Sequence, residues 1–154
     1  MLSILFAPLV RLYTVTDLPA LLPLIRKNIS LTYPDWRCAT KPGSNISVEE
    51  IDWLVFQDAM PSYRKRLLPH GGEVDLILAV DCIYHPSLLS ALVETIDMLT
   101  TPGKTSVIVV VELRADEVVR EFMRLWLNQS GWDIRRVGTS LMGNRYAVWT
   151  GWKA

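Results

Sequence analysis

Five consecutive apolar residues, Leu76 to Val80, run without a break into Asp81, and Tyr84 follows three residues later. An apolar block so short reads as a strand covered on both faces, which is the habit of a parallel sheet. Polar chemistry enters only at its carboxyl end. In open α/β sheets ligands bind outside the carboxyl ends of the strands, so Asp81 and Tyr84 stand where a site is expected. The same two residues also allow a purely local reading. Asp81 would then cap a helix starting near Pro86, with Tyr84 as a packing aromatic.

The size of the chain, 154 residues, suits a single domain spanning 1–154 with a real core. Half of it is hydrophobic, which excludes a disordered chain. Sixteen basic residues balance 16 acidic ones. A general binder of nucleic acid or of acidic membranes needs an excess of cations, so neither partner is expected. Cys38 and Cys82 lie far apart, with no metal-ligand spacing and too few thiols for a disulfide scaffold. A reducing, cytoplasmic location, with the nucleus as a second compartment, is the expectation. The apolar start, Met1 to Val10, lacks the basic region of a signal peptide and is too short to span a bilayer.

Along the chain, Leu2 to Val10 looks like the tail of a helix. Leu12 to Thr16 reads as a strand ending on Asp17. A helix is expected from about Leu18 to Ser30, burying Leu21, Leu22, Leu24 and Ile25, with Arg26 and Lys27 near its end. Thr32 to Asn45 is a loop, and Ile46 to Trp53 a strand. The segment 57–72 is mixed in charge, and Arg64, Lys65 and Arg66 fit a short solvated helix, with a substrate-facing role as the alternative. Pro86 to Leu99 carries apolar residues at helical spacing. Ser106 to Val111 is a second uninterrupted apolar strand, ending in Glu112-Leu113-Arg114. Ala115 to Ser130 is amphipathic, with Val118, Phe122 and Trp126 on one stripe and Gly131 as its stop. Trp132, Ile134 and Val137 alternate with polar residues, Tyr146 to Trp152 is another strand, and Gly143-Asn144 suits the turn of an antiparallel pair. The order β-α-β-α-β-α-β-β predicts an α/β fold, mostly parallel, with an antiparallel ending.

This order resembles the class I, or seven-β-strand, S-adenosylmethionine-dependent methyltransferases, a Rossmann-like three-layer fold. Tyr13-Thr-Val-Thr-Asp17, followed by Leu21 to Leu24 and Asn28, is similar to the second strand and helix of the protein-lysine methyltransferases in methyltransferase family 16. Ile51-Asp52-Trp53 resembles that family's adenine-side Leu-Asp-Trp segment, and Asp81-Cys82-Ile83-Tyr84 its Asp-x-x-Tyr motif. Val110 to Arg114 and Ala147 to Trp152 look most like the branch that methylates ribosomal-protein lysines. The resemblance implies S-adenosyl-L-methionine as cofactor, bound by Asp17, Trp53 and Val80. It implies Asp81 and Tyr84 at the opening where a lysine of a ribosomal or translation-related protein meets the methyl sulfonium.

Residue chemistry agrees with these roles while leaving local alternatives open. Asp17 at a strand end can accept hydrogen bonds from both ribose hydroxyls, or cap the helix after it. Trp53 can lie on adenine or pack in the core. An acid and an aromatic face suit a lysine side chain, while His85 reads as a surface histidine. No metal is implied.

The family's first strand and glycine-rich loop have no counterpart in this sequence. That strand lies centrally, so the expectation is a truncated form with two half-sheets, unless the strands ending at Asp17 and Val80 pair directly. Weak binding of the cofactor, or none, is then expected. The other readings are a methyltransferase acting on a small molecule and a non-catalytic interaction module derived from the fold. A Rossmann dehydrogenase fits the antiparallel ending poorly, and a hydrolase lacks its Gly-x-Ser-x-Gly turn.

Overall fold

The first apolar residues form a short helix α1 (Leu2–Phe6), extended by a 3-10 turn over Ala7–Leu9. The β-branched run after them becomes β1 (Tyr13–Asp17), which pairs in parallel with β2 (Ile46–Glu50), Tyr13 facing Ile46 and Asp17 facing Glu50. Between them lies α2 (Leu22–Thr32). The computed structural model describes residues 2–59, 74–138 and 145–154. The chain divides into two compact units. These elements belong to the first, whose described residues run to Asp52.

Helix α2 differs from expectation at both ends. Leu18 precedes Pro19, which disfavours the helical region, so residues 18–21 close a turn through Leu21 N–H donating to Leu18 O at 2.9 Å. The helix starts only at Leu22, with Pro23 in its first turn, where a missing N–H costs nothing. It stops at Thr32 because Tyr33 precedes Pro34. Arg26 and Lys27 therefore lie mid-helix rather than near its end, and Arg26 donates to Val48 O at 3.2 Å. The buried stripe is Leu22 and Ile29 with Ile25 half-buried, whereas Leu21 and Leu24, expected inside, are exposed. Leu22, Ile29, Trp36, Ile46, Val48 and Ala7 form this unit's small core.

The second unit starts at Trp53, expected as the end of a strand but found as the first residue of helix α3 (Trp53–Asp58); β2 stops at Glu50. Then come β3 (Leu76–Val80), a 3-10 turn over Pro86–Leu88, α4 (Leu89–Leu99), β4 (Ser106–Glu112), α5 (Asp116–Leu127), β5 (Trp132–Arg136) and β6 (Tyr146–Lys153). Strands β3 and β4 are parallel, with Val80 opposite Val110. Strand β6 runs antiparallel to β4 on one side and to β5 on the other, giving the order β3-β4-β6-β5. The expected antiparallel ending is thus present, with the last strand placed inside. The six strands among the described residues make two separate ladders, as expected if β1 and β3 do not pair.

Alternation sorts the faces of the second sheet. Val107, Val109 and Val111 of β4 are buried together with Ala79, Ala147 and Trp149, against Leu92, Val93 and Ile96 of α4 and Val119, Phe122 and Trp126 of α5. In α5 the stripe includes Val119 as the buried valine, with Val118 half-buried beside it. Trp126 lies between Phe122, ring centroids 5.6 Å apart, and Trp132, at 5.3 Å and edge-on. Gly131 is not the stop of α5, which caps at Asn128; its φ of 80° turns the chain into β5. The Trp132 indole N–H donates to Asp97 Oδ1 at 2.8 Å, and Lys153 Nζ reaches the same oxygen at 2.6 Å. That clasp ties the last two strands to the end of α4. Arg64 to Arg66 and the Gly143-Asn144 turn lie outside the described residues.

Candidate functional site

The carboxyl end of β3 is where the second sheet turns from packing to chemistry. Asp81 N–H donates to Val110 O at 2.8 Å, extending the ladder by one residue. Its own φ is then 56°, the only left-handed non-glycine backbone among the described residues. Aspartate tolerates that region better than most residues, and backbone strain of this kind collects at functional sites. The turn brings Asp81 out of the sheet, exposed. Cys82 Sγ bonds back to Val80 O at 3.4 Å, and Ile83 is buried in the core, so the turn is held on its inner side. Tyr84 points outward at 65% exposure. His85 Nδ1 meets Ser87 Oγ at 2.8 Å.

Asp81 does not act as a helix cap. The 3-10 turn after it is preceded by His85 and α4 by Leu88, neither with a side-chain cap. Tyr84 is not a packing aromatic either. Val80 is half-buried at the last position of β3, next to Asp81. Trp53, also in this unit, is half-buried and packs against the main core.

Asp17 lies in the other unit, at the carboxyl end of β1. Its Oδ1 accepts the N–H of Leu18 at 2.8 Å, and its backbone oxygen accepts from Ile51 N at 3.2 Å. It caps no helix, because α2 begins at Leu22 behind Leu21, again without a side-chain cap. A half-buried carboxylate at the end of a parallel strand has the acceptor chemistry that paired ribose hydroxyls need. That carboxylate fits the ribose of a nucleoside cofactor in kind. A cleft of about 330 Å³ lined by Pro8, Val10, Tyr33 and Lys41 to Asn45 lies at the other, amino end of β1 and β2 and contains none of these residues.

One group at the site was not singled out from the sequence. Glu112, the last residue of β4, is buried and hydrogen-bonded by Arg114 and by Arg145. These two guanidiniums hold its carboxyl below the usual glutamate range. Glu112 in turn raises Arg114, with a smaller contribution from the charge of Asp81. A Glu-x-Arg pair ending an apolar strand was the available signal. Arg145 joins it only through the antiparallel register, in which Leu113 N–H bonds Arg145 O at 2.8 Å.

Among the described residues no group of three or more His, Cys, Asp and Glu could hold a metal ion. No described helix is long and apolar enough to cross a membrane. The family model for lysine methyltransferases matches residues 4–129. A search among curated proteins found no match.

Proposed function

The chain belongs to the lysine methyltransferase family, and we propose that it is an S-adenosyl-L-methionine-dependent protein-lysine N-methyltransferase. The observation that carries this reading is the strained turn at Asp81, which presents an acid and an exposed tyrosine at the carboxyl end of a parallel strand. S-adenosylmethionine, when bound, supplies an electrophilic methyl group on a sulfonium. The resemblance assigns its ribose hydroxyls to Asp17 and its apolar contacts to Trp53 and Val80.

The chain's own residues prepare the acceptor. A lysine ammonium cannot attack until it gives up a proton, which passes to solvent water at this exposed end of the strand, and the reacting nitrogen must then be held in line while the bond from the methyl carbon to sulfur breaks with its electron pair left on sulfur. The Asp81 carboxylate attracts the ammonium, orients it by hydrogen bonding, and stabilises the positive charge that returns to the nitrogen on methylation. The face of Tyr84 supports the same cation. Both act on the substrate nitrogen itself, so they are the proposed catalytic residues.

The resemblance of Val110–Arg114 and Ala147–Trp152 to the ribosomal-protein branch makes ribosomal and translation-related proteins, in the cytoplasm or nucleus, the first substrates to test. The decisive assay follows transfer of labelled methyl groups to such proteins and to small amines, for the natural chain and for Asp81→Ala. Label on lysine of a protein, lost in Asp81→Ala while the circular dichroism spectrum is kept, supports the reading. Label on small amines alone, or transfer unaffected by Asp81→Ala, overturns it.

A further inference from the structure

Beside Asp81 stands a basic rim whose chemistry concerns what lies next to the target lysine. Val80 faces Val110, so Asp81 leaves the ladder one residue short of Glu112 on the neighbouring strand. At ~4.8 Å between strands and ~3.3 Å per residue, the Glu112 cluster is within a few residues' reach of an extended peptide placed at Asp81. Arg114 feels the charge of Asp81, so the two groups share one electrostatic neighbourhood.

The cluster is built unevenly. The Glu112 side chain is only 7% exposed, whereas those of Arg114 and Arg145 are 71% and 74% exposed. One carboxylate therefore anchors two guanidiniums, Arg114 through Nε and Nη2 and Arg145 through Nε, and leaves a net positive charge with free terminal N–H groups facing solvent. Holding both arginines in place removes part of the entropy that long side chains otherwise lose on binding. A guanidinium fork matches a carboxylate in shape as well as charge. A cationic rim also opposes the approach of a lysine unless the substrate brings an anion with it.

We propose that Arg114 and Arg145, splinted by Glu112, read an acidic residue close in sequence to the target lysine. The substrate class is then a lysine with aspartate or glutamate within a few positions. This rests on the lysine methyltransferase reading of the Asp81 end. The arginines are specificity-determining residues and Glu112 is their positioning residue.

The test uses the full chain and fluorescently labelled lysine peptides, with Asp or Glu placed at each of the four positions on either side, against Gln at the same positions. Binding is followed by anisotropy for the natural chain, Arg114→Ala/Arg145→Ala, and Arg114→Lys/Arg145→Lys, with circular dichroism as the control for folding. The acidic peptides bind about tenfold more tightly than the Gln peptides. The preference disappears in the double alanine variant and is only partly kept in the double lysine variant, which retains charge but not the fork. If the alanine variant does not fold, the lysine variant carries the comparison, and an undiminished preference there counts against the proposal. Equal binding of acidic and Gln peptides, absence of binding by all of them, or a preference surviving the alanine variant overturns it. Methyl transfer to the same peptides is read separately. Transfer without flank preference removes the rim and leaves lysine methylation standing. Flank-dependent binding without transfer to any protein lysine removes the enzyme reading and leaves the surface.

Discussion

The two units both contain a pair of parallel strands, and they finish that pair very differently. Around β3 and β4 the chain adds two antiparallel strands and helices α4 and α5, and buries a core that includes Phe122, Trp126, Leu89 and three valines of β4. Around β1 and β2 the described residues add α2 and the short α1, with six of them buried in the core. The cost shows at the surface of the first unit, where Leu5, Leu9, Leu24 and Leu31 are all more than half exposed. A two-stranded sheet is marginal by itself, and parallel strands ordinarily have both faces covered. The comparison teaches that in this chain apolar sequence does not guarantee an apolar surrounding. Covering elements decide which leucines become core.

If that contrast is right, the two units should break differently. The largest loss is expected at Trp126, fully buried between Phe122 and Trp132. Trp126→Ala should cost about 3–5 kcal/mol, read by chemical denaturation, and should abolish cooperative unfolding of the second sheet. A loss under about 1 kcal/mol would mean the aromatic cluster is not what holds β5 and β6.

Next comes Ile29, the most buried residue of the first unit's core. Ile29→Ala should cost about 2–4 kcal/mol, but the loss should be local. Hydrogen exchange in β1 and β2 should quicken while residues 107–111 keep their protection. Equal quickening in both units would remove the contrast.

Gly151 sharpens the picture of the larger core. A Cβ there would come within 2.6 Å of the Trp126 ring. Gly151→Ala should therefore destabilise by about 1–3 kcal/mol through overpacking, and a neutral outcome would show that Trp126 has room to move.

The smallest effect is the acid dependence of the end of β4. Arg114 and Arg145 lower the carboxyl of Glu112, so the folded state binds its proton less readily than the unfolded state. The stability this gives is complete above the ordinary glutamate range. It fades as the pH falls through that range and is gone below the lowered native value. Glu112→Gln should flatten this part of a plot of Tm against pH, with little change in its slope elsewhere. An unchanged acid limb would show that the pairing stores nothing.

Much of the fold was legible because period and punctuation agreed. The apolar blocks at 76–80 and 106–111 became the parallel pair, and the helical spacing at 88–99 became α4. Where the structure departs from the sequence pattern, the causes are local. The pattern at 18–21 was apolar, but Pro19 made it a turn; in the helix after it Leu22, Ile25 and Ile29 fall on one stripe at i, i+3 and i+7, and Leu24 falls off it. The strand at 46–50 ends three residues before the expected Trp53, which suits a strand but here starts a helix. At the site, Asp81 and Tyr84 were visible as polar residues after an apolar run, and their freedom from capping and packing needed the backbone turn. Glu112 was visible but its second arginine was not, since Arg145 is 33 residues away and only the pairing of β4 with β6 brings it there.

The most direct test is a calorimetric titration of S-adenosylmethionine into the purified chain and into Asp17→Ala. Saturable one-to-one binding is expected, weaker than micromolar and weakened further by the substitution. No saturable heat from a folded chain, or binding indifferent to Asp17→Ala, would contradict it.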